Sequence, residues 1–342
     1  MITLKDVAQL AGYSVSTVSR ALNGSSRIDN ETRTVILEAA KKLNYQANLN
    51  AKSLRTKSTR LIGIISEGST NYMFSQYIQY ISDYCTSLGY GLLVANHNND
   101  PMIEERLFNN YYQRGIDGMI LSLVSEESRI FRSILDSTIP IVLVDRYLVF
   151  EHHFHDTCHA SIVLNNMGAG RMAADCLMDL GHRYLACITG PMSVGLSRER
   201  TNGFVSRIYE RGGHIDNKHL VEGNFSFESG YAAAMQILGY SERLPTAIWA
   251  ENDMMAIGVI KALAERSISV PDDISVIGMD DVGFSRMITP PLTTISQPYK
   301  DMATTAVDVI ASGGTGGGGK QKRFVFDGAL VMRDSVTECR DK

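Results

Sequence analysis

The feature that most constrains the fold is a repeated alternation of apolar runs and amphipathic segments from residue 61 onward. The apolar runs have the length and composition of buried strands and lie at 61–66, 91–95, 118–124, 139–144, 184–189, 246–250 and 274–279. Segments with helical periodicity lie between them, at 74–88, 103–114, 170–180, 200–211, 229–238 and 254–266. Alternating strands and helices form parallel α/β sheets, and the two sets of runs predict two similar lobes.

The first 45 residues carry a different pattern, in which turn signals separate three short helices. Thr3 is an N-cap candidate with Asp6 three residues later, which is a capping-box signature. Gly12 suits the left-handed backbone at a helix end, and Ser14 caps a second helix predicted over 15–22. A helix, a tight turn and a second short helix are the helix-turn-helix layout, so an all-α headpiece is predicted.

The distribution of charge favours a polyanion partner for this headpiece. The whole chain carries a net charge of −4. Residues 1–60 hold ten basic and four acidic side chains, a net charge of +6, which leaves −10 for the other 282 residues. A basic head on an acidic body is typical of a nucleic-acid-binding module, although charge alone also allows a merely solvated basic surface.

The outer face of the second predicted helix supplies the chemistry of base recognition through Val15, Ser16, Thr17, Ser19 and Arg20. Arginine can bind guanine with two hydrogen bonds, serine can pair with several bases, and valine can contact a thymine methyl group. A generic helical hairpin with a polar face has the same spacing, so the spacing alone leaves both interpretations open.

Residues 3–23 closely resemble the signature of the lactose-repressor/galactose-repressor family of bacterial transcriptional regulators. The resemblance runs through Thr3-Leu-Lys-Asp-Val-Ala-Gln-Leu-Ala-Gly-Tyr-Ser-Val-Ser-Thr-Val-Ser-Arg-Ala-Leu-Asn23. It implies a homodimer that binds a pseudo-palindromic double-stranded DNA operator and a small-molecule effector. By this resemblance the bases are contacted by Val15, Ser16 and Arg20, and the DNA backbone by Thr3, Ser14, Thr17 and Asn23.

Residues 46–60 are polar and basic, and they are too short for a stable isolated helix, so by themselves they indicate a linker. They resemble the family's hinge at Asn48, Ala51 and Leu54. The resemblance implies a helix in the DNA minor groove, where Leu54 wedges into the central base step. The predicted domains are therefore a DNA-binding domain over 1–45, a hinge over 46–60, and an effector-binding and dimerisation domain over 61–340.

The family resemblance extends over the body and implies the two-lobed fold of periplasmic sugar-binding proteins. The first lobe is expected at about 61–160 plus 298–322, and the second at about 161–297 plus 323–340. Ligands of α/β sheets bind beyond the carboxyl ends of the strands, so a ligand is expected in the cleft between the lobes.

Polar pairs follow several predicted strands, namely Asp145-Arg146, Asn252-Asp253 and Asp280-Asp281. Such residues also cap the helices that follow strands, which is the alternative for any one pair. The family resemblance implies effector contacts at Asn71, Phe74, Asp145, Arg200, Phe225, Asn252 and Asp280.

This set of residues bears on the class of the effector. Carboxylates, an arginine and an aromatic face are typical of a sugar pocket. A purine or a phosphorylated metabolite is the alternative effector. A sugar-binding transport protein is a remote alternative, because it would not carry the headpiece.

Two further motifs could indicate sites of chemistry. Gly168-Ala-Gly170 with Ala173 fits a dinucleotide-binding pattern but lacks the tight strand-turn context. A histidine cluster could bind zinc or nickel, although a solvated loop is the favoured interpretation of His152, His153, His155 and His159. Since no nucleophile–base arrangement is visible either, the chain is predicted to be no enzyme and to need no cofactor or metal.

Cellular location and assembly follow from simpler signals. No apolar stretch reaches the ~20 residues of a membrane span and no signal peptide is visible, so a cytoplasmic protein with no membrane partner is expected. The five cysteines are scattered without a C-x-x-C motif, which favours reduced thiols. The C-terminal residues show no leucine heptad, so a dimer is expected.

Overall fold

The computed structural model describes residues 2–46, 58–68, 72–125, 128–145, 159–240, 243–314 and 322–339. The chain divides into two compact units, Met1–Thr59 and Arg60–Lys342. Several predicted site residues lie outside the described residues, namely Asn48, Ala51, Leu54, Asn71, His152, His153 and His155.

The first unit contains three helices, α1 (Leu4–Ala11), α2 (Val15–Leu22) and α3 (Asn30–Lys42). The predicted local signals are present, because the Asp6 carboxylate accepts from the backbone nitrogen and the hydroxyl of Thr3 at 2.7 and 2.8 Å. Gly12 has a φ of 72° at the end of α1, and the Ser14 hydroxyl accepts from the backbone N–H of Thr17. A small core joins the three helices through Val7, Ala8, Val18, Ala21, Ile36, Ala39 and Ala40.

The described strands of the second unit follow the predicted rhythm and add further strands to it. They are β1 (Leu61–Ser66), β2 (Gly91–Asn96), β3 (Gly118–Leu121), β4 (Ile141–Val144), β5 (Ala160–Leu164), β6 (Tyr184–Thr189), β7 (His214–Glu222), β8 (Ala247–Ala250), β9 (Ser275–Asp280), β10 (Thr293–Ser296), β11 (Lys322–Phe326) and β12 (Ala329–Val331). The helices are α4 (Tyr72–Ser87), α5 (Pro101–Gln113), α6 (Phe131–Leu135), α7 (Asn166–Asp179), α8 (Gly195–Glu210), α9 (Phe227–Tyr240), α10 (Asp253–Glu265) and α11 (Tyr299–Ala311). Within the described ranges, none of the helices has the length and apolarity to cross a bilayer.

The strands form two sheets, one in each lobe. The first sheet has the order β11-β5-β4-β3-β1-β2 and the second the order β12-β10-β9-β8-β6-β7. The pairs are parallel except for β10 and β12, which run antiparallel. The chain crosses between the lobes at 165, at 297–298 and at 327–328, where consecutive elements belong to different sheets.

This topology corrects two of the predicted lobe boundaries. The boundaries at about 160 and 322 fall at the starts of β5 and β11, which pair with each other from Ala160–Lys322 to Leu164–Phe326. Both strands therefore belong wholly to the first lobe.

Each sheet is covered by helices on both faces, which is why its strands are apolar on both sides. In the first lobe α4 and α11 cover one face, and α5 and α6 cover the other. In the second lobe α7 and α8 cover the face that holds Trp249, while α9 and α10 cover the face that holds Ile248. The sheets are thus fixed between packed layers, and only their strand ends are left to build a site.

Glycines bring α7 and α8 into close contact. A Cβ on Gly170 would lie 2.2 Å from the carbonyl oxygen of Arg200, and one on Gly203 would lie 2.2 Å from that of Met167. The dinucleotide-like motif around Gly168 and Gly170 is therefore explained by helix packing, since Gly170 serves the crossing of two helices. The crossing also fixes the backbone of Arg200.

We expect Gly170→Ala to lower the free energy of unfolding by about 1–3 kcal/mol, because the new methyl group meets backbone that cannot turn aside. Gly239→Ala is the matched control, since a Cβ there meets nothing within 4 Å and should change stability by less than about 1 kcal/mol. Urea denaturation followed by circular dichroism measures both, and equal stabilities of the two variants would contradict the packing argument.

Candidate functional site

The outer face of α2 presents the three predicted base-contacting side chains together. Val15, Ser16 and Arg20 are exposed, Val15 to 41%, while Val18 and Ala21 on the opposite face are buried in the headpiece core. The helix therefore carries a polar and apolar face of the kind that enters a major groove.

The residues predicted to contact the DNA backbone lie at the ends of helices in this unit. Thr3 precedes α1, and Ser14 precedes α2 and shares its hydroxyl with Ser16 and Thr17 at 2.8 Å each. Asn23 ends α2 and donates from its amide to the carbonyl oxygen of Ser19 at 2.6 Å. The polar side chains of Ser14 and Asn23 thus fix both ends of α2.

A cavity of about 300 Å³ lies between the two lobes, at the carboxyl ends of the strands of both sheets. The first lobe contributes Phe74 from α4 and Asp145, which directly follows β4. The second lobe contributes a larger set, namely Arg200, Phe225, Asn252 and Asp280. Six of the seven predicted effector residues therefore line one cavity, and the seventh, Asn71, lies outside the described residues.

The backbone at the cavity wall adopts conformations that side-chain-bearing residues rarely take. Asp145 has a φ of 55°, Phe225 of 67° and Asp280 of 116°. Each of these residues follows or ends a strand, so the chain turns sharply there and directs the side chain into the cleft. Such backbone persists only where the surroundings hold it in place, and it is concentrated at binding sites.

Arg200 is held in the cavity wall by the chain around it. Its Nε donates to the side-chain oxygen of Asn166 and its Nη1 donates to the carbonyl oxygen of Glu251, both at 2.9 Å. The Glu251 carboxylate is itself fixed by the N–H of Gly190 at 2.7 Å and the hydroxyl of Thr201 at 2.6 Å. The guanidinium is thus oriented before any ligand arrives.

Asn252 has a structural role in addition to lining the cavity. Its side-chain oxygen caps α10 by accepting from the N–H of Met255, and its side-chain nitrogen donates to the carbonyl oxygen of Phe225 at 2.8 Å. The helix-cap alternative is therefore real at this position. Asn252 contributes to the site by fixing the backbone that carries the Phe225 ring.

Comparisons with known proteins agree with this arrangement. Residues 3–48 match the family model "Bacterial regulatory proteins, lacI family", and residues 174–336 match "Periplasmic binding protein-like domain". The chain is 36% identical over 339 residues to the ribose operon repressor of Escherichia coli (strain K12), across 98% of this chain and 100% of that protein. It is 31% identical to the HTH-type transcriptional repressor PurR of Vibrio cholerae serotype O1 (strain M66-2), across 99% of both chains.

A solved structure extends the likeness to the whole fold. The lac repressor dimer bound to operator and the anti-inducer ONPF superposes with a TM-score of 0.86 at 28% identity, covering 98% of this chain and 99% of that one. This chain belongs to the lacI family of bacterial regulatory proteins. The relatives are transcriptional repressors, which agrees with the prediction of a regulator that is not an enzyme.

Other residues of this lacI-family cavity were not predicted from the sequence. Most follow strand ends or precede helices, and they are Glu67, Met73, Asn99, Ser122, Val124, Pro191, Ser193, Val194, Leu196 and Asn224. Glu67 after β1 and Ser122 after β3 carry the same signal as Asp145, a polar residue directly after a buried strand. Glu67 and Ser122 each stand alone after a strand, whereas the residues predicted from this signal stand in polar pairs.

The second members of two predicted polar pairs face away from the cavity. Asp253 is fully buried and accepts from the N–H of Val282 and the hydroxyls of Ser285 and Thr294. Asp281 is paired with the guanidinium of Arg333. In each pair, the first residue lines the cavity and the second holds neighbouring chain segments in place through hydrogen bonds or an ion pair.

Burial raises the pKa of Asp280 to about 8, which is the largest single effect on this group, although the Arg200 guanidinium favours the charged form. Burial likewise raises the pKa values of Glu251 and Asp253 to about 7. The cavity is therefore poorly suited to gaining further negative charge near neutral pH.

A second cavity of about 460 Å³ lies at the opposite end of the second sheet, where β6, β8 and β9 begin. It is larger, but its described lining contains none of the predicted effector residues. The smaller cavity is the candidate site, because ligands of parallel sheets bind at the carboxyl ends of strands. Within the described residues no group of three or more metal-ligating side chains is found, and His159 is buried next to β5.

We expect Asp280→Asn to stabilise the unliganded protein increasingly as the pH rises from 5 to 8. The Asp280 carboxyl ionises near 3.8 in the unfolded chain but only at about 8 in the folded protein, so the wild type loses stability through this window. Urea titrations at pH 5, 6.5 and 8 measure the difference. Asp83→Asn, at an exposed carboxylate of α4, is the control, and a difference independent of pH for Asp280→Asn would contradict the argument.

Proposed function

We propose that this lacI-family protein is a cytoplasmic repressor that binds a pseudo-palindromic DNA operator as a homodimer. Its operator affinity is then controlled by a small molecule held between the lobes. The observation that supports this proposal best is the convergence of Phe74 and Asp145 from one lobe with Arg200 and Asp280 from the other on one cavity. A ligand gripped from both lobes binds their closed arrangement better than their open one, which is what a shift in population requires.

The chemistry of the cavity favours a small, uncharged polyhydroxylated effector. Glu67 and Asp145 place two acidic groups in a lining that holds one guanidinium, Arg200, and the buried Asp280 resists ionisation, so a phosphorylated metabolite would meet an excess of negative groups. Carboxylates and an arginine fork bind adjacent hydroxyl groups well, and the rings of Phe74 and Phe225 can cover the apolar face of a sugar. A volume of about 300 Å³ is at the small end of ligand pockets and suits a single sugar ring.

A purine is the second candidate effector. The two phenylalanine rings in the lining can stack on a flat base, and the carboxylates can accept its N–H groups. One relative is a ribose operon repressor, which favours the sugar. A panel of monosaccharides, purines and sugar phosphates in a thermal-shift assay separates the candidates.

We expect Arg200→Ala and Asp280→Ala each to abolish the thermal shift given by the effector, because each removes a polar group that faces the ligand. Isothermal titration with the same compound measures the loss of affinity. Arg171→Ala, at a surface arginine paired with Glu210, and Asp83→Ala are the matched controls and should leave binding intact. Binding that survives both cavity substitutions would refute the assignment of the site.

For the headpiece, we expect Arg20→Ala to weaken operator binding by about 1–3 kcal/mol and to relax specificity at one base position of each half-site. Lys42→Ala removes the same charge from α3, outside the predicted base-contacting face, and should weaken binding less and without a change of specificity. Operator titrations with point-substituted half-sites, at one fixed salt concentration, measure both effects. Equal losses on all sequences would show that Arg20 contacts only the DNA backbone.

A further inference from the structure

Two half-exposed aromatic rings touch across the cleft. The centroids of Tyr72 and Phe284 are 4.9 Å apart, and the ring planes make an angle of 83°, which is the edge-to-face arrangement that aromatic pairs favour. Tyr72 begins α4 in the first lobe, and Phe284 lies in the 3-10 turn Gly283–Arg286 that follows β9 in the second lobe. The contact therefore joins the two lobes through side chains alone.

Both rings are carried by firmly held backbone. Tyr72 precedes Met73 and Phe74, which are buried in the core of the first lobe. The turn that carries Phe284 is fastened on both sides, because Val282 and Ser285 donate to the buried carboxylate of Asp253 at 2.9 and 2.5 Å. Because the two rings are anchored in different lobes, parting of the lobes separates them.

The pair lies beside the cavity without lining it. Met73 and Phe74 line the cavity next to Tyr72, and Asp280 lines it four residues before Phe284. The three chain crossings connect the lobes elsewhere, where the side chain of Asn165 donates to Asp327 and those of Gln297 and Tyr299 donate to Asp280. Substitution of either ring thus leaves the direct contacts of a bound ligand in place.

We propose that Tyr72 and Phe284 form an aromatic latch that holds the lobes closed and slows release of the effector. This proposal rests on the proposed function for the ligand, while the contact itself does not. A ligand gripped from both lobes can leave only when they part, and parting breaks the aromatic contact. An edge-to-face pair changes such an equilibrium about two- to tenfold, which is enough to set the lifetime of the closed state without making it permanent.

The test is a double-mutant cycle on the full-length protein with Tyr72→Ala, Phe284→Ala and both together. Release of radiolabelled D-ribose, after rapid dilution into unlabelled sugar, should be about two- to tenfold faster in each single variant. The double variant should be little faster than either single one, because the first substitution already removes the contact. Tyr72→Phe keeps the ring and should release at the wild-type rate.

Tyr80→Ala is the matched control, since Tyr80 is an equally exposed tyrosine of α4, 42% exposed against 40% for Tyr72. Unchanged release rates in the ring variants, or effects that simply multiply in the double variant, would overturn the latch. A cycle on urea unfolding of the unliganded protein tests the contact without any ligand, and zero coupling there also overturns it. Failure of the wild type to bind D-ribose would count against the sugar effector alone, and the unfolding cycle would still decide the latch.

Discussion

The cleft depends on three consecutive buried polar residues that follow β8. Glu251 holds the N–H of Gly190 and the hydroxyl of Thr201, and its carbonyl oxygen accepts from Arg200. Asn252 caps α10 and holds the backbone of Phe225. Asp253 holds the loop after β9 through Val282, Ser285 and Thr294. Because each residue reaches a different segment, one short stretch of chain fixes most of the second lobe's side of the cavity.

Burying the carboxylates of Glu251 and Asp253 costs free energy, which explains why several hydrogen-bond donors surround each of them. A carboxylate taken out of water loses its hydration, and burial raises the pKa values of Glu251 and Asp253 to about 7. Two or three hydrogen bonds to each carboxylate offset part of that cost, and an unsatisfied buried network would be worse than an apolar core. These buried polar residues lie where the positions of cavity-lining groups are set, because Glu251 holds Arg200 and Asn252 holds the backbone of Phe225.

Much of this fold could be predicted from the sequence, since apolar runs and amphipathic segments alternate so regularly. Among the strands that were missed, two had weaker signals. β7 is an edge strand in which buried and exposed residues alternate, and β12 has only three residues. Predicted helices began late, as at residue 200 for α8, which begins at Gly195. Polar first turns lack the apolar periodicity on which the prediction depended.

For the site, the sequence pattern predicts the region of the fold, whereas the local backbone decides which side chain lines the cavity. A polar residue after a buried strand was the signal for Asp145 and Asp280, and both line the cavity because the carboxyl ends of the strands lie there. It could not separate Asp280 from Asp281, whose side chains part because both residues have positive φ in a sharp turn. The pattern thus identifies the edge of the sheet where the site lies, and the turn decides which side chain faces it.

The exchange of strands between the lobes sets what can regulate the cleft. On the side of the cleft where the chain crosses three times, the lobes are joined by the covalent chain. Buried hydrogen bonds from Gln297 and Tyr299 to Asp280 add to this connection. The covalent crossings keep the lobes joined on this side of the cleft in every ligand state. Two half-exposed rings, Tyr72 and Phe284, contribute an amount comparable to thermal energy, and they lie on elements that already move with their own lobes. A weak contact between two rigid lobes leaves the balance of closed and open states easy to change. A ligand of modest affinity can shift that balance, because its binding free energies to the two states need to differ by only a few kcal/mol.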